Sequence, residues 1–255
     1  MTIATQSSLF GDNPAQSKAQ HTSTLPVSVV NIAPSRKNRS GEHNARSSRA
    51  GFSPFPMEVA ALCFDLYLRD CSHVFDPFAG WGERGAVAAS RGVKYTGIDN
   101  SPDAIASAAQ MGVVNTLGDS LTAPLPEFDG LITCPPYWDL EKYAGDDCLS
   151  VLPSWKIFCE ALWAVFRRCY DAAKPGAVFC VSMGNWRTGG VFYDLQFELA
   201  DFFRCAGAET IDRVVLSRLN TSKVKVMIPQ ARRLGYTVKV HEYLDVYRKP
   251  EPRDA

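Results

Sequence analysis

A glycine-rich turn follows a short apolar strand and precedes a helical segment. Residues 76–82 read DPFAGWG, with Asp76 at the end of the strand and Phe78, Gly80 and Gly82 in the turn. Glycines at such a turn let the backbone approach a ligand closely, and the following helix points its free N–H groups toward that ligand. The spacing is neither the dinucleotide pattern GxGxxG nor a Walker A loop. The turn therefore indicates a different ligand site or an ordinary strand–helix turn.

Two further acids stand where the next strands are expected to end. Asp99 closes the segment YTGID, and Asp119 closes VVNTLGD. Ligands of open α/β sheets bind beyond the carboxyl ends of the strands, where an acid can accept hydrogen bonds from ribose hydroxyls. Each acid alone could instead be a residue favoured by a helix dipole. Three acids at consecutive strand ends, beside a glycine turn, are harder to explain as separate caps.

A proline-rich loop that carries aromatic residues follows another apolar strand. Residues 133–138 read TCPPYW. Two prolines give an extended backbone without N–H donors, so the neighbouring carbonyl is free as an acceptor. Tyr137 then presents a ring directly after that carbonyl. The arrangement suits a flat heterocycle held by its amino group and its face, although a loop with a core tyrosine is the alternative.

The elements that must position these residues alternate between strands and helices. Helical spacing of apolar residues occupies 57–70, 84–92, 101–112, 152–176 and 194–207. Apolar strand patterns lie between these helices, Ser101 is a suitable N-cap, and residues 210–219 and 236–250 have the pattern of a terminal pair of strands. This alternation predicts a mostly parallel α/β sheet with a C-terminal antiparallel hairpin.

Composition narrows the class of protein but not the partner. Lys and Arg total 27, Asp and Glu total 27, and 46% of the 255 residues are hydrophobic. A basic footprint for nucleic acid must therefore be local. No apolar run approaches the roughly 20 residues of a membrane span, and no secretory signal is evident, so we expect a cytoplasmic protein. The eight cysteines form no CxxC pair, so no metal site is expected.

The N-terminal part differs in composition from the rest. Residues 1–33 are predicted to be a largely disordered tail, although 26–33 could form a short strand. Residues 34–51 form a basic linker. A domain covers 52–249, followed by a short tail at 250–255. The linker carries candidate nucleic-acid-binding residues, since phosphate contacts need local positive charge; a solvated linker is the alternative. These residues are Arg36, Lys37, Arg39, Arg46 and Arg49.

The motifs together resemble those of S-adenosylmethionine-dependent DNA amino-methyltransferases, which modify cytosine N4 or adenine N6. Residues 76–82 resemble the family's DPFxGxG cofactor motif, and 133–138 resemble its TSPPYW or DPPY catalytic motif. Residues 52–56, 174–186 and 241–249 resemble the segments that accompany these motifs. The resemblance covers roughly residues 50–249. It implies a seven-stranded, Rossmann-like methyltransferase sheet.

The resemblance also implies roles for particular residues. S-adenosylmethionine would be the cofactor, with Phe52 and Pro54 at its methionine end, Phe78, Gly80 and Gly82 at its centre, Asp99 at its ribose and Asp119 at its adenine. Asp76, the first residue of the motif, would also belong to the cofactor site. The catalytic residues would be Cys134, Pro135, Pro136 and Tyr137. Trp138 would contact the nucleic acid. The target base in DNA would be flipped out of the stack and covered by the Tyr137 ring.

Two departures from the family keep alternatives open. Cys134 replaces the family's Asp, Asn or Ser, and sulfur is a poor hydrogen-bond acceptor. No insertion is large enough for a separate recognition domain; residues 139–153 and 185–193 are the candidate loops. An inactive cofactor-binding subunit that recognises nucleic acid is one alternative, and an RNA amino-methyltransferase is another. Thr133 and Trp138 favour cytosine N4 over adenine N6.

Overall fold

The computed structural model describes residues 27–32, 55–139, 148–218 and 222–252. Its strands are β1 (Val29–Asn31), β2 (His73–Asp76), β3 (Lys94–Asp99), β4 (Asn115–Leu117), β5 (Phe128–Thr133), β6 (Ala173–Met183), β7 (Trp186–Thr188), β8 (Val191–Tyr193), β9 (Glu209–Ser217) and β10 (His241–Arg248). Eight of them form the central sheet, in the order β1-β9-β10-β6-β5-β2-β3-β4, and β7 and β8 form a separate antiparallel ribbon.

Most neighbours in the central sheet are parallel, as the sequence predicts. The pairs β4–β3, β3–β2, β2–β5 and β5–β6 are parallel, whereas β10 runs antiparallel to β6 and β9. The carboxyl ends of β2, β3, β4, β5 and β6 therefore lie at one edge of the sheet. This edge is where such sheets bind ligands.

The expected number of strands was wrong. The resemblance implies seven strands, but the described sheet has eight because β1 pairs in parallel with β9. Val30 is buried, and Ile32 donates a backbone hydrogen bond to Ser217. This added strand satisfies backbone groups that β9 would otherwise leave unpaired at the sheet edge. Its residues lie in the segment 26–33, where the sequence predicts a short strand.

Six helices accompany the sheet in the described ranges. They are α1 (Met57–Leu62), which continues as a π-helical turn at Cys63–Tyr67, α2 (Glu83–Ser90), α3 (Pro102–Gln110), α4 (Trp155–Ala172), α5 (Leu195–Cys205) and α6 (Ser222–Leu234). The Ser101 hydroxyl accepts a hydrogen bond from Ala104 N at the start of α3, which confirms the predicted cap. Two clusters of buried apolar residues, one on each face of the sheet, hold these layers together.

Helix α6 was not predicted, and it separates the two strands of the expected terminal hairpin. β9 and β10 are antiparallel neighbours, but they are joined through α6 and not by a tight turn. Pro229 interrupts the helical pattern within α6. From residue 224 onward, Ala231 is the one buried residue of this helix. Its other large apolar side chains are mostly exposed, among them Val226, Met227, Ile228 and Leu234, so α6 buries little apolar surface against the sheet.

Within the described ranges, no helix is long and apolar enough to span a membrane. Among the same residues, no cluster of three or more His, Cys, Asp or Glu side chains could hold a metal ion. Of the cysteines, Cys71 and Cys134 are half-buried and Cys205 is exposed, whereas the others are buried.

Candidate active site

A cavity of about 300 Å³ opens at the carboxyl ends of the strands. Residues that follow β2, β3, β4 and β5 line one part of it. Residues near the carboxyl ends of β6 and β9 and near the start of the antiparallel β10 line another. The cavity therefore brings together segments that are more than 150 residues apart in the chain, from Phe55 to Glu242.

The glycine turn forms one wall because its backbone adopts conformations that favour glycine. Gly80 and Gly82 have φ values of +57° and +104°. A Cβ atom at Gly82 would lie 2.8 Å from Ala108 Cα, so this glycine also permits close packing of α2 against α3. Phe78 and Gly80 line the cavity, whereas Gly82 lies at the N-cap of α2 beside α3.

Asp76 lies beneath this wall and is not among the residues that line the cavity. It is fully buried and pairs with Arg84 through Nε–Oδ2 at 2.6 Å. Thr133 Oγ1 donates to the same carboxylate at 2.7 Å and Tyr95 Oη at 2.8 Å. The backbone N–H of Phe78 donates to it at 3.1 Å. Asp76 thus ties together β2, β3, β5 and α2 below the predicted cofactor site.

The charges around Asp76 shift the proton affinities of its partners. Burial by itself would lower the pKa of Arg84, but the adjacent Asp76 carboxylate raises it above its ordinary value. Burial, reinforced by the Asp76 charge, raises the pKa of Tyr95 well above its usual range. Arg84 therefore stays charged although it is buried, and the Asp76 carboxylate compensates this buried charge.

Asp99 lies at the cavity wall and links it to the glycine turn. Its carboxylate accepts hydrogen bonds from Gly80 N at 2.7 Å and from Ser101 N at 2.9 Å. Burial raises the pKa of Asp99, while these two backbone donors act in the opposite direction. Each carboxylate oxygen retains a lone pair for a ligand hydroxyl.

Asp119 lies at the more open end of the same wall. It is exposed, lines the cavity, and accepts a hydrogen bond from Leu121 N at 2.9 Å. The neighbouring Ser120 hydroxyl donates to Pro77 O at 2.6 Å, which joins the end of β4 to the turn after β2. The predicted ribose and adenine residues therefore border one cavity.

The proline-rich loop lines the same cavity as the glycine turn. Cys134, Pro135, Pro136 and Tyr137 all line it. The Tyr137 ring makes an edge-on contact with Trp186, with ring centroids 5.4 Å apart. The loop thus places a ring and a rigid backbone segment in the cavity that predicted cofactor residues also line.

Trp138, predicted to contact nucleic acid, belongs to an aromatic cluster beside this loop. Its Nε1–H donates to Leu152 O at 2.7 Å, and its ring packs edge-on against Tyr193 at 5.0 Å. Trp155 packs against both rings and against Trp186. The side chain is half-buried.

Sequence reasoning missed several charged residues that line the cavity, among them Arg218, Lys239 and Glu242. Arg218 Nη2 donates to Glu242 Oε2 at 2.9 Å, and Lys239 Nζ lies 5.7 Å from the centre of the Tyr137 ring. Arg218 directly follows β9, and the other two lie at or just before the start of β10. Alternation in this segment predicts a strand but not which of its residues face a cavity.

Several predicted site residues lie outside the described ranges. These are Phe52 and Pro54 of the cofactor set and Arg36, Lys37, Arg39, Arg46 and Arg49 of the nucleic-acid set. Most of the candidate recognition loop 139–153 also lies outside, at 140–147. The other candidate loop, 185–193, contains the ribbon β7–β8, with Phe192 exposed and packed against the Arg187 guanidinium.

Comparison with known proteins identifies the fold. No protein-family model matches the sequence, and a search of curated proteins found no match. The N-methyltransferase NodS from Bradyrhizobium japonicum has a TM-score of 0.53 at 15% identity, with 76% of this chain and 96% of NodS covered. A methyltransferase from Methanosarcina mazei described as SAM-dependent has a TM-score of 0.52 at 13% identity, with 79% and 100% covered.

A third similar structure broadens the range of reactions. The [4+2]-cyclase SpnF has a TM-score of 0.55 at 17% identity, with 79% of this chain and 85% of SpnF covered. The same fold is thus found in a protein described as a cyclase, so the reaction must be argued from the site. The chain has the Rossmann-like fold of S-adenosylmethionine-dependent methyltransferases.

Proposed function

We propose that the protein transfers a methyl group from S-adenosylmethionine to an exocyclic amino group of a flipped base in DNA. The observation that carries the proposal is the shared cavity, which is lined both by the loop 134–137 and by Gly80, Asp99 and Asp119. One wall has the residues that suit a nucleoside cofactor, and the other has those that suit a flat acceptor ring. A cofactor and an acceptor bound in this one cavity could react directly with each other.

The residues present fit the cofactor. NodS has been crystallised with S-adenosyl-L-homocysteine, and at 16% identity it shares the fold of this chain with a TM-score of 0.53. In this chain, Asp99 would accept the ribose hydroxyls and Asp119 would lie at the adenine. Phe78 and Gly80 would border the centre, where the glycine turn leaves room for the ligand. When bound, the cofactor supplies an electrophilic methyl group on sulfur.

The proline-rich loop would orient the acceptor. The nitrogen lone pair of an exocyclic amino group is delocalised into the ring. A hydrogen bond from the amino N–H to the Pro135 carbonyl would increase the electron density on the nitrogen and orient its lone pair toward the methyl group. Transfer would form a C–N bond while the S–C bond of the cofactor breaks, which would leave S-adenosylhomocysteine, and the amino nitrogen would lose one proton to solvent. Tyr137 would cover the face of the flipped base.

The described surface adds support for a nucleic-acid substrate. Helix α6 exposes Lys225, Arg232 and Arg233 without an acidic residue, and it also exposes Val226 and Met227. In a chain whose charges balance, this is a local basic surface of the kind that phosphates require. Thr133 and Trp138, together with the Ser-like size of Cys134, favour cytosine N4 over adenine N6. The Cys134 sulfur favours, as a second candidate, a weakly active or inactive subunit, and transfer to RNA stays a further alternative.

Expression of the chain in a host that lacks its own amino-methylated bases tests this function. We expect mass spectrometry of digested host DNA to show N4-methylcytosine, or N6-methyladenine if adenine is the target. Methylation-aware sequencing would report the site. Modified RNA with unmodified DNA would move the reaction to RNA, and no new modified base in either would support the inactive subunit.

Cofactor binding gives a prediction that does not require the acceptor. Isothermal titration should show no binding of S-adenosylmethionine by Gly80→Val and strongly weakened binding by Asp99→Ala. Gly80 has a positive φ at the cavity wall, so a branched side chain strains the backbone and narrows the site. Gly92→Val is the matched control, because Gly92 has a φ of +68° but faces open space away from the cavity. Wild-type affinity in both cavity variants would contradict the assignment.

The basic linker is proposed to contact the phosphate backbone. Replacing Arg36, Lys37 and Arg39 with alanine should flatten the dependence of DNA affinity on salt, because each lost phosphate contact reduces the number of counterions released. Fluorescence anisotropy over a series of salt concentrations measures this slope. An unchanged slope would leave the segment a solvated linker.

A further inference from the structure

Four polar groups converge at the end of the cavity near β6. Gly184 directly follows β6, and a Cβ atom there would lie 2.6 Å from Lys239 Nζ, 2.8 Å from Glu242 Cγ and 3.2 Å from Tyr137 Oη. Arg218 joins this group through its hydrogen bond to Glu242. The absence of a side chain at Gly184 therefore lets charged groups gather beside the ring that is proposed to cover the acceptor.

Lys239 differs from the other cations that line the cavity. Arg84 is paired with Asp76, and Arg218 is paired with Glu242. Lys239 makes no hydrogen bond or ion pair with any residue in the described ranges, and its ammonium lies over the Tyr137 ring. An ammonium group has three donors and no acceptor. These donors are therefore available to a ligand that lies against Tyr137.

The electrostatics of this end of the cavity favour a ligand with a hydrogen-bond acceptor atom. The protein around Lys239 lowers its pKa through desolvation, and the nearby Glu242 carboxylate opposes that shift. Glu242 carries a negative charge that already compensates Arg218, so the cluster of Arg218, Lys239 and Glu242 has one positive charge in excess. One hydrogen bond to a ring nitrogen or carbonyl would satisfy that ammonium without bringing a second full charge into the cavity.

We propose that Lys239 recognises the acceptor ring by donating a hydrogen bond to the ring nitrogen next to the amino-bearing carbon. Cytosine and adenine both present this edge, an amino group beside an unprotonated ring nitrogen. The Pro135 carbonyl would accept from the amino group while Lys239 donates to the ring nitrogen, so that two opposite hydrogen bonds fix the base in its plane. Simple amines lack the second partner. This inference rests on the proposed function and specifies its substrate as a ring with an amidine edge.

The test compares the target base with its deaza analogue, in which the ring nitrogen is replaced by C–H. Oligonucleotides carry cytosine or 3-deazacytosine, or adenine or 1-deazaadenine if adenine is methylated. For the wild type, the analogue should lower kcat/KM by roughly 10- to 100-fold, the value of a hydrogen bond from a charged donor. Lys239→Met keeps the length of the side chain but not its donors. In this variant, kcat/KM for the natural base should fall to the value for the analogue.

Two further variants separate recognition from structure. Lys94→Met is the matched control, because Lys94 is exposed at the start of β3, at the opposite end of the sheet. It should keep the full preference for the natural base. Lys239→Arg keeps a donor and should retain part of the preference. Titration of S-adenosylmethionine should give wild-type affinity for all three variants, which shows that the cofactor site is intact.

Each outcome bears on the inference. A Lys239→Met enzyme that keeps the full preference for the natural base would overturn it. Equal losses of kcat/KM on the natural base and on the analogue in Lys239→Met, together with a flatter dependence of DNA affinity on salt, would also overturn it. Those results indicate a phosphate contact. Loss of all transfer in both Lys239 variants would also overturn it, because a donor alone would then not suffice. A wild type that methylates no base contradicts the proposed function and the inference with it, whereas an active wild type without a deaza effect contradicts the inference alone.

Discussion

Replacing Asp76 with alanine should lower the free energy of unfolding by about 3–5 kcal/mol, the usual cost of removing one partner from a buried ion pair. The Asp76 carboxylate is fully buried and receives hydrogen bonds from Arg84, Tyr95, Thr133 and the Phe78 backbone. Without it, the Arg84 guanidinium stays buried with the carbonyl of Phe78 as its remaining hydrogen-bond partner in the described ranges. Urea denaturation of the purified variant, followed by circular dichroism, measures the loss.

Asp65→Ala is the matched control for this experiment. Asp65 also pairs with an arginine, Arg91, at 3.0 Å, but both side chains are about one-third exposed at 34% and 30%. Exposed pairs contribute little, so we expect a change below about 1 kcal/mol. A loss of that small size for Asp76→Ala as well would show that the site beneath the glycine turn tolerates an unpaired arginine.

The Asp76→Ala variant also separates a structural role of Asp76 from a direct contact with the cofactor. The sequence assigns it to the cofactor, whereas the structure places it below the cavity wall. If its role is structural, cofactor affinity should fall in step with stability, and low temperature should restore part of it. A stable Asp76→Ala protein that no longer binds S-adenosylmethionine would instead support a direct contact.

Tyr137→Ala should lose most of the methyl transfer. Stacking of an aromatic side chain on a base is worth roughly 1–3 kcal/mol, and misplacement of the base adds to that loss. Tyr137→Phe keeps the ring and should retain most of the activity. Since the ring also packs edge-on against Trp186, thermal denaturation must accompany the assay. Initial rates on oligonucleotides, with cofactor affinity measured in parallel, give the comparison. Full activity in Tyr137→Ala would remove the ring from the mechanism.

Cys134→Ser is the companion variant at the other end of the loop. If Cys134 fills space beside the base while the Pro135 carbonyl orients it, serine should keep or raise the activity, because a hydroxyl is the better acceptor. The same assay measures this. An inactive Cys134→Ser protein with an intact fold would indicate a chemical role for the thiol.

The position of the cavity was predictable from the sequence. A mostly parallel sheet places the ends of its strands at one edge, so the DPFAGWG turn, Asp99, Asp119 and the TCPPYW loop had to lie near one another. The cavity does bring Gly80, Asp99 and Tyr137 together. Their roles toward a cofactor and a base stay predictions. The inference needed only strand order along the chain and the common direction of the strands.

The role of Asp76 was not predictable in the same way. A strand-end acid can point into the ligand site or beneath it, and its neighbours decide which. Here Thr133, 57 residues away, and Tyr95, 19 residues away, both donate to its carboxylate. Trp138 is similar, because the partners that turn it toward an aromatic cluster, Trp155 and Tyr193, come from later elements.

The sequence by itself determined the class of fold, the edge of the sheet at which the cavity opens, and the two motifs that line it there. These follow from local patterns, since apolar periodicity and the glycine and proline positions set the backbone within a few residues. The tertiary structure alone decided that an eighth strand completes the sheet, that Asp76 supports the wall from below, and that Arg218, Lys239 and Glu242 enter the cavity. These depend on the pairing of β9 with β1 and β10 and on side chains from distant segments meeting, which no local pattern records.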